Sequence, residues 1–322
     1  MLALTVADGN LVPDTVPDPE PGPEEVLIEV AAAGVNRADL LQVAGHYPPP
    51  AGAPAWPGLE VAGTIVAVGG DDNSSLVGTE VCALLPGGGY AELVTVDAGL
   101  VLPRPEGVEL VEAAALPEAA ATVHSNLSYL ISPIVEEFSP KVLLHGGAGG
   151  IGTFALQYAK RILGAEVWTT ARAQFTEDLE ALGADRVLDY REDDFAAEMR
   201  AAGGARAVLD HIGAANLEDN LKALGVDGQL NIIGLQKGRT AEIDLGTLLA
   251  KRQKITGTTL RSRPIEQRRQ IVGEVFERVW PVVDDGLIKP VVGTRLPLKQ
   301  AAEAHSIMQA GGHLGKIVLT AA

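Results

Sequence analysis

Cysteine is almost missing from this sequence: Cys82 is the single one in 322 residues. One thiol excludes an intrachain disulfide framework and a cysteine-cluster zinc site, and it fits a reducing compartment. Aromatic residues are also scarce, with 3 Trp, 5 Tyr and 5 Phe, so the core must be built from small aliphatic side chains. Long apolar runs are lacking. The richest, 113–123, is interrupted by Pro117-Glu118 and falls short of the roughly 20 residues that span a bilayer. Residues 1–6 carry no basic leader and run into Asp8-Gly9, which predicts a cytoplasmic protein without a secretory signal or membrane segment. Positive charge is in deficit: 25 Lys and Arg stand against 42 Asp and Glu, a formal charge of −17. Binding to nucleic acid or to an anionic membrane would require a local basic patch against that repulsion, so neither partner is expected. The densest basic stretches, 251–254 and 261–269, are interrupted. They read chiefly as solvated faces from which a few side chains would meet a phosphate. The six histidines, His46, His124, His145, His211, His305 and His313, show no metal-ligand spacing.

What the sequence does have is glycine, 37 residues where average usage gives roughly 23. That excess predicts many turns and close backbone approaches. The length suggests about two domains, and 47% apolar with 21% charged residues is the mixture of a globular protein with a sizeable core.

Two textures divide the chain. In the first third, short strands such as 26–30, 62–68 and 91–96 are punctuated by Pro and Gly, the pattern of a mainly β or small-barrel domain. An alanine-rich, helix-compatible stretch follows over 109–131, with Pro117 at a break or first turn. From 141 onward strands alternate with helices. Strands are predicted at 141–145, 166–170, 186–188, 207–210, 229–234 and 254–260, with helices at 153–163, 175–182, 194–202 and 215–224. Such alternation predicts a parallel, doubly wound sheet. Helices at about 264–284 and 299–310 lead to a last strand, 316–320, which has no partner near it in sequence and is expected to pair back into the first domain.

The turn after the first strand of the alternating region carries the clearest motif. Residues 141–153 read KVLLHGGAGGIGT, so Gly147, Gly149 and Gly152 fit G-x-G-x-x-G between a strand and a helix. The glycines allow a tight turn, close approach of a pyrophosphate to bare backbone, and close helix–strand packing. The helix start adds free N–H groups and the positive end of its dipole. The next strand ends Trp168-Thr169-Thr170-Ala171-Arg172, with no acid to hold a ribose 2′-hydroxyl. Hydroxyls including that of Thr170, together with the Arg172 cation, suit a 2′-phosphate. NADPH is therefore the expected cofactor.

Several segments in order, GVNRADLLQVAGHYPPP (34–50), PGLEVAGTIVAVG (57–69), ALLPGGGYAELVTV (83–96), ALPEAAATV (115–123), HGGAGGIGT (145–153), LRSR (260–263) and GKIVL (315–319), give the chain a wider resemblance. Over nearly its whole length it resembles the medium-chain dehydrogenase/reductase superfamily, in its zinc-free, NADPH-dependent quinone oxidoreductase branch. The resemblance implies a mainly β GroES-like catalytic domain over 1–120, a doubly wound Rossmann domain over 121–262, and a C-terminal return, 263–322, that completes the catalytic domain. It further implies an acceptor held between the domains against the nicotinamide, and a homodimer formed by pairing of the strand near 254–260. Zinc-dependent members carry a cysteine ligand where this chain has Asn36, and a Gly-His-Glu ligand where it has Gly58-Leu59-Glu60. Zinc needs three or four converging N, S or O ligands, so no metal is expected.

Without a Lewis acid the favoured electrophile is one that takes hydride readily, a quinone or an α,β-unsaturated carbonyl. The resemblance places Tyr47, stiffened by three following prolines, at the nicotinamide edge as the catalytic candidate, with Asn36 near the nicotinamide ribose. It matches Thr122, Gly150, Ile151, Tyr190, Ile212, Gly234, Leu235 and Lys316 to cofactor contacts, and sets Trp56, Leu260 and Arg261 at the acceptor pocket. Many relatives have a lysine shortly after the Thr-Ala corner; here Gln174-Phe175-Thr176 follows, so Arg172 must serve the 2′-phosphate. Two alternatives stay open. One is a 2-enoyl-thioester reductase, mildly disfavoured by the scarcity of basic residues near 46–60. The other is a non-catalytic NADPH-binding redox sensor or structural protein.

Overall fold

A computed structural model of the chain describes residues 1–70, 75–131 and 139–321. It divides into two compact units, Met1–Ala121 together with Leu260–Ala322, and Thr122–Thr259.

The first unit opens with a hairpin of β1 (Leu2–Ala7) and β2 (Asn10–Thr15). Asp8 and Gly9 at its turn have φ of 49° and 73°, the paired left-handed conformation that a two-residue hairpin turn needs. β3 (Glu25–Gly34), α1 (Arg37–Val43), β4 (Glu60–Val68), β5 (Glu80–Leu84), β6 (Leu93–Asp97) and β7 (Val101–Pro103) follow, the strands pairing antiparallel. The helical stretch then divides into α2 (Leu110–Ala113) and α3 (Pro117–Leu127). Pro117 opens α3, where its missing N–H would be unsatisfied in any case.

The second unit carries β8 (Lys141–His145), α4 (Gly150–Arg161), β9 (Glu166–Ala171), α5 (Thr176–Ala181), β10 (Arg186–Asp189), α6 (Phe195–Ala201), β11 (Ala205–Asp210), α7 (Leu217–Ala223), β12 (Leu224–Ile232), α8 (Leu245–Lys251) and β13 (Lys254–Gly257). All six strands are parallel, in the spatial order β10-β9-β8-β11-β12-β13. This is the doubly wound order, in which the strand order reverses beside the first strand, β8. Val142, Leu143 and Leu144 on β8, Val167 on β9 and Val208 on β11 are all buried. Continuous apolar runs of this kind mark strands covered on both faces. One core cluster joins Leu143, Trp168, Leu188, Met199, Val208 and Leu230.

The chain then returns to the first unit through α9 (Ile265–Arg278), α10 (Trp280–Asp284), β14 (Val292–Pro297), α11 (Ala301–Ala310) and β15 (Lys316–Thr320). β15 pairs antiparallel with residues 32–34 of β3, as expected of the tail. It also has a second neighbour that the sequence did not reveal, β14, running parallel to it. The seven-stranded sheet is thus β14-β15-β3-β4-β5-β7, with β6 on the first half of β3. Among the described residues no helix is long and apolar enough to cross a membrane.

The position of β15 inside this sheet yields a test. Ile317 is fully buried, and Ile317→Ala is expected to lower unfolding stability by about 2–5 kcal/mol. A denaturant titration would show a reduced midpoint at unchanged slope. A midpoint indistinguishable from the parent would mean that the tail strand contributes nothing to the core.

Candidate functional site

Two clusters of sequence-selected residues form, one in each unit. In the second unit the turn between β8 and α4 is set by backbone contacts: the Gly147 N–H donates to Thr170 O at 3.1 Å and the Gly149 N–H to Gly146 O at 2.9 Å. A Cβ at Gly147 would stand 2.2 Å from Thr169 Oγ1, and one at Gly152 would stand 2.2 Å from Gly146 O. Both glycines are therefore demanded by packing. Gly149 is not. Its φ of −77° is open to any residue, and the nearest atom to a Cβ there is Gly146 O at 3.4 Å. Gly149 is the N-cap of α4, yet no side chain caps this helix and its first turn, Gly150, Ile151 and Gly152, holds no acid. Uncapped N–H groups at a helix start beside an open glycine form a receptor for an anion.

Below the turn lies a relay of buried polar groups. His145 is held neutral by burial, its pKa pushed below the usual histidine value. Its Nε2 meets Asn220 Oδ1 at 2.7 Å and must donate there, so Nδ1 accepts from the Thr170 hydroxyl at 3.0 Å. Thr170 Oγ1 in turn faces the Gly146 N–H at 3.4 Å. Thr170, whose hydroxyl is expected at a phosphate, is buried here and props the turn from beneath. Arg172 stands at the end of β9 as expected, and its Nε donates to the Tyr190 hydroxyl at 3.1 Å. The corner is pinned by Asp189, which accepts from the Ala173 N–H at 3.0 Å. Arg191 holds the Asp189 carboxyl well below the usual carboxylate range, so it stays ionised. At the ends of β11 and β12, the Lys237 N–H donates to Ile212 O at 2.7 Å and Leu235 is exposed. A Cβ at Gly234 would meet His211 O at 3.1 Å. Asp210, fully buried, accepts the N–H groups of Ile212 and Gly213 at 3.0 and 2.8 Å. Thr122, at the start of this unit, gives its carbonyl to Asn126 Nδ2 at 2.8 Å.

In the first unit a buried charged network joins four elements. Lys316, at the start of β15, donates to Asn36 Oδ1 at 2.8 Å and forms an ion pair with Glu60 at the start of β4. Asn36 Nδ2 donates to Glu60 Oε1 at 2.9 Å, and the Glu118 N–H in the first turn of α3 donates to Glu60 Oε2 at 2.9 Å. Lys316 is 4% exposed and Glu60 fully buried. Lys316, matched by resemblance to a cofactor contact, has its ammonium inside this network. Asn36 in turn is fastened by Asp39, which accepts the Asn36 N–H at 2.7 Å and the Gly58 N–H at 3.0 Å.

Tyr47 and Arg261 come together, the Arg261 guanidinium lying 5.4 Å from the Tyr47 ring centroid. Arg261 is buried and donates to Pro86 O at 2.6 Å and Gln42 Oε1 at 2.8 Å. Leu260 beside it is buried too, and Trp56 Nε1 donates to Gly88 O at 2.9 Å. Burial raises the Tyr47 pKa, reinforced by Glu118 and opposed by Arg261, so the phenol stays protonated at neutral pH.

The sequence motifs include Glu60 without assigning it a role, His305 enters only as a histidine without metal-ligand spacing, and Asp39, Gln42 and Tyr90 are given no part. Only Asp39 left a signal. Asn36-x-x-Asp39 has the spacing in which the third helical residue bonds back to the N-cap backbone.

Residues 22–106 match the family described as "Alcohol dehydrogenase GroES-like domain", and residues 182–319 the one described as "Zinc-binding dehydrogenase". The quinone oxidoreductase of Rattus norvegicus is 30% identical over 307 residues, 94% of this chain and 90% of that protein. The solved quinone oxidoreductase of Thermus thermophilus, studied alone and in complex with NADPH, is similar with a TM-score of 0.84 at 31% identity, covering 99% of each chain. A mycocerosic acid synthase-like polyketide synthase of Mycobacterium tuberculosis is 31% identical over 95% of this chain, which spans 14% of that much longer protein. The fold and these matches define an oxidoreductase of the medium-chain dehydrogenase/reductase superfamily. Within it, the chain belongs to the quinone oxidoreductase branch.

Asp39 and His305 are joined through the Tyr90 hydroxyl, which is 3.2 Å from Asp39 Oδ2 and 3.1 Å from His305 Nε2. Burial raises Asp39 to about 6 and lowers His305 to about 4. The two act oppositely on stability. The Asp39 contribution is complete below the ordinary value of 3.8 and is lost as pH rises through 6; the His305 contribution is complete above 6.5 and is lost as pH falls through 4. Each shift corresponds to about 3 kcal/mol, so between pH 4 and 6.5 they nearly cancel in the parent. His305→Gln should therefore gain stability on acidification across this window, and Asp39→Asn should lose it. Denaturant midpoints at four or five pH values check this, and parallel profiles for both variants would refute it.

Proposed function

We propose that this protein reduces quinones or α,β-unsaturated carbonyls with NADPH and without a metal. The observation that carries the reading is Gly149, a glycine that neither backbone conformation nor packing requires, capping a helix with no side-chain cap. The place a side chain would fill is the place a pyrophosphate takes against bare amides. Gly147, Gly150, Ile151 and Gly152 would hold it there, while Arg172 and Tyr190 would meet the adenosine 2′-phosphate. Thr122, Ile212, Gly234 and Leu235 would line the rest of the cofactor. NADPH, when bound, supplies a hydride.

The remaining tasks fall to the first unit. Tyr47, kept protonated, would orient the acceptor carbonyl or donate a proton as negative charge develops on its oxygen. Asn36 Oδ1 has a second lone pair besides the one taken by Lys316, through which it would meet the nicotinamide ribose. Arg261, Leu260 and Trp56 would edge the acceptor pocket. A metal-free reaction is supported by the cation already in place: the Lys316 ammonium neutralises Glu60, and Asn36 and Leu59 replace the thiolate and imidazole of zinc members. A homodimer along β13 completes the proposal. β13 lies at the end of its sheet, and α8 just before it exposes Leu245 and Leu249 by 66% and 79%; such an open edge invites pairing.

The second reading is a 2-enoyl-thioester reductase, and a polyketide synthase is among the proteins the chain is similar to. Steady-state rates with quinones, enones and enoyl thioesters, each with NADPH and NADH, separate the two. No turnover with any of them would leave the binding role alone. Arg172→Ala should weaken NADPH at least tenfold while changing NADH little; equal losses would remove Arg172 from the 2′-phosphate. Tyr47→Phe should reduce enone turnover roughly 10²-fold if the phenol donates the proton, with quinone turnover scarcely altered. Unchanged rates with both acceptors would take Tyr47 out of the chemistry.

A further inference from the structure

The first unit contains a cavity of about 270 Å³ walled on one side by residues 50–53 and Pro86 and on the other by Arg261, Ser262, Arg263 and Arg268. Three arginines on one small cavity are notable in a chain of net charge −17. Two of them are poorly compensated. Among the described residues the hydrogen-bond partners of buried Arg261 are Pro86 O, Tyr47 O and Gln42 Oε1, none of them a carboxylate. Arg268 has its Nε and Nη1 shut from solvent with no hydrogen-bond partner among the described residues. The carboxylate that bears on Arg268, Asp97, is taken by Arg269, whose Nε donates to Asp97 Oδ1 at 2.8 Å. Enclosed N–H donors without acceptors carry a desolvation penalty, which turning the guanidinium toward an anion in the cavity relieves. Burial without a paired charge also lowers the pKa of both Arg261 and Arg268.

We propose that this cavity receives a carboxylate carried by the acceptor, so that the preferred substrates are unsaturated carbonyl compounds bearing an acid group a few bonds from the reacting alkene. The inference deepens the reading above and rests on it. Arg261 joins the two parts: it lines the cavity, and its guanidinium lies against the ring of Tyr47. A carbonyl compound held at Tyr47 thus has a cationic cavity one side chain away. The planar fork of arginine matches a carboxylate with two parallel hydrogen bonds, which a neutral ester cannot reproduce.

The test compares 6-oxohept-4-enoate with its methyl ester, a pair in which two methylenes insulate the enone from the acid group. With NADPH the parent enzyme should show kcat/KM about 10- to 100-fold higher for the carboxylate. In Arg268→Gln that ratio should fall to near one, and in Arg268→Lys, which keeps the charge and loses the fork, to an intermediate value. Equal kcat/KM for acid and ester in the parent enzyme overturns the proposal whatever the variants do, and leaves the oxidoreductase reading standing if both are reduced. If neither is reduced, the reading of the reaction fails, and titration calorimetry of the parent protein decides the cavity separately. Binding of 6-oxohept-4-enoate but not of the ester supports the cavity; binding of neither overturns it.

Discussion

The ion pair between Lys316 and Glu60 is the constraint on which the first unit is built. Taking two charges out of water is expensive, and the attraction between them compensates only when the remaining donors and acceptors are also satisfied. Here they are. Glu60 accepts from Lys316, from Asn36 and from the Glu118 backbone, and Lys316 donates to both Glu60 and Asn36. Each partner comes from the start of a different element, β15, β4, α1 and α3. The requirement that no member be left unpaired therefore fixes where the tail strand begins and where the Asn36 side chain is held. Even Gly34 follows from it, because a Cβ there would stand 2.3 Å from Glu60 Oε1.

The second unit solves a different problem, how to present unpaired backbone donors without destabilising the helix that carries them. The start of α4 has no side-chain cap, while the turn before it rests on the hydrogen-bonded relay of neutral His145, Thr170 and Asn220. A neutral imidazole matters here: a charged one beneath the turn would change the field that the helix start offers. The Asp189–Arg191 pair similarly holds the corner that carries Arg172. In both units the groups suited to meet a ligand are carried by buried polar groups of which local sequence gives little sign.

Legibility followed the range of the interactions. β8 was readable to the residue because KVLLH is an apolar run between a proline and a glycine turn. β12 begins five residues before its expected start, at Leu224, since a register shift lets that residue pair with Ala205 across an irregular ladder. β13 stops at Gly257 rather than reaching Leu260. β14 escaped notice because VGTRLP alternates only between half-buried and exposed, leaving no apolar face to read. Among site residues, Gly147, Gly149 and Gly152 could be found from spacing alone, and Arg172 from its place after a strand. Thr170 was selected for its hydroxyl, but whether a threonine at a strand end points up to a ligand or down to a histidine is not encoded locally.

The sequence by itself determined the alternation that makes a parallel sheet and the turn that exposes backbone amides. Those features depend on residues within one strand, turn or helix, and short-range sterics and hydrogen bonding set them. Only the tertiary structure decided that Lys316 neutralises Glu60, 256 positions away in the chain, and that arginines 261, 263 and 268 wall a cavity with residues 50–53. The scarcity of basic residues near 46–60 is a statement about neighbours in the chain alone. Electrostatic partners are chosen by distance in space, and folding brings together charges whose separation in sequence carries no trace of the contact.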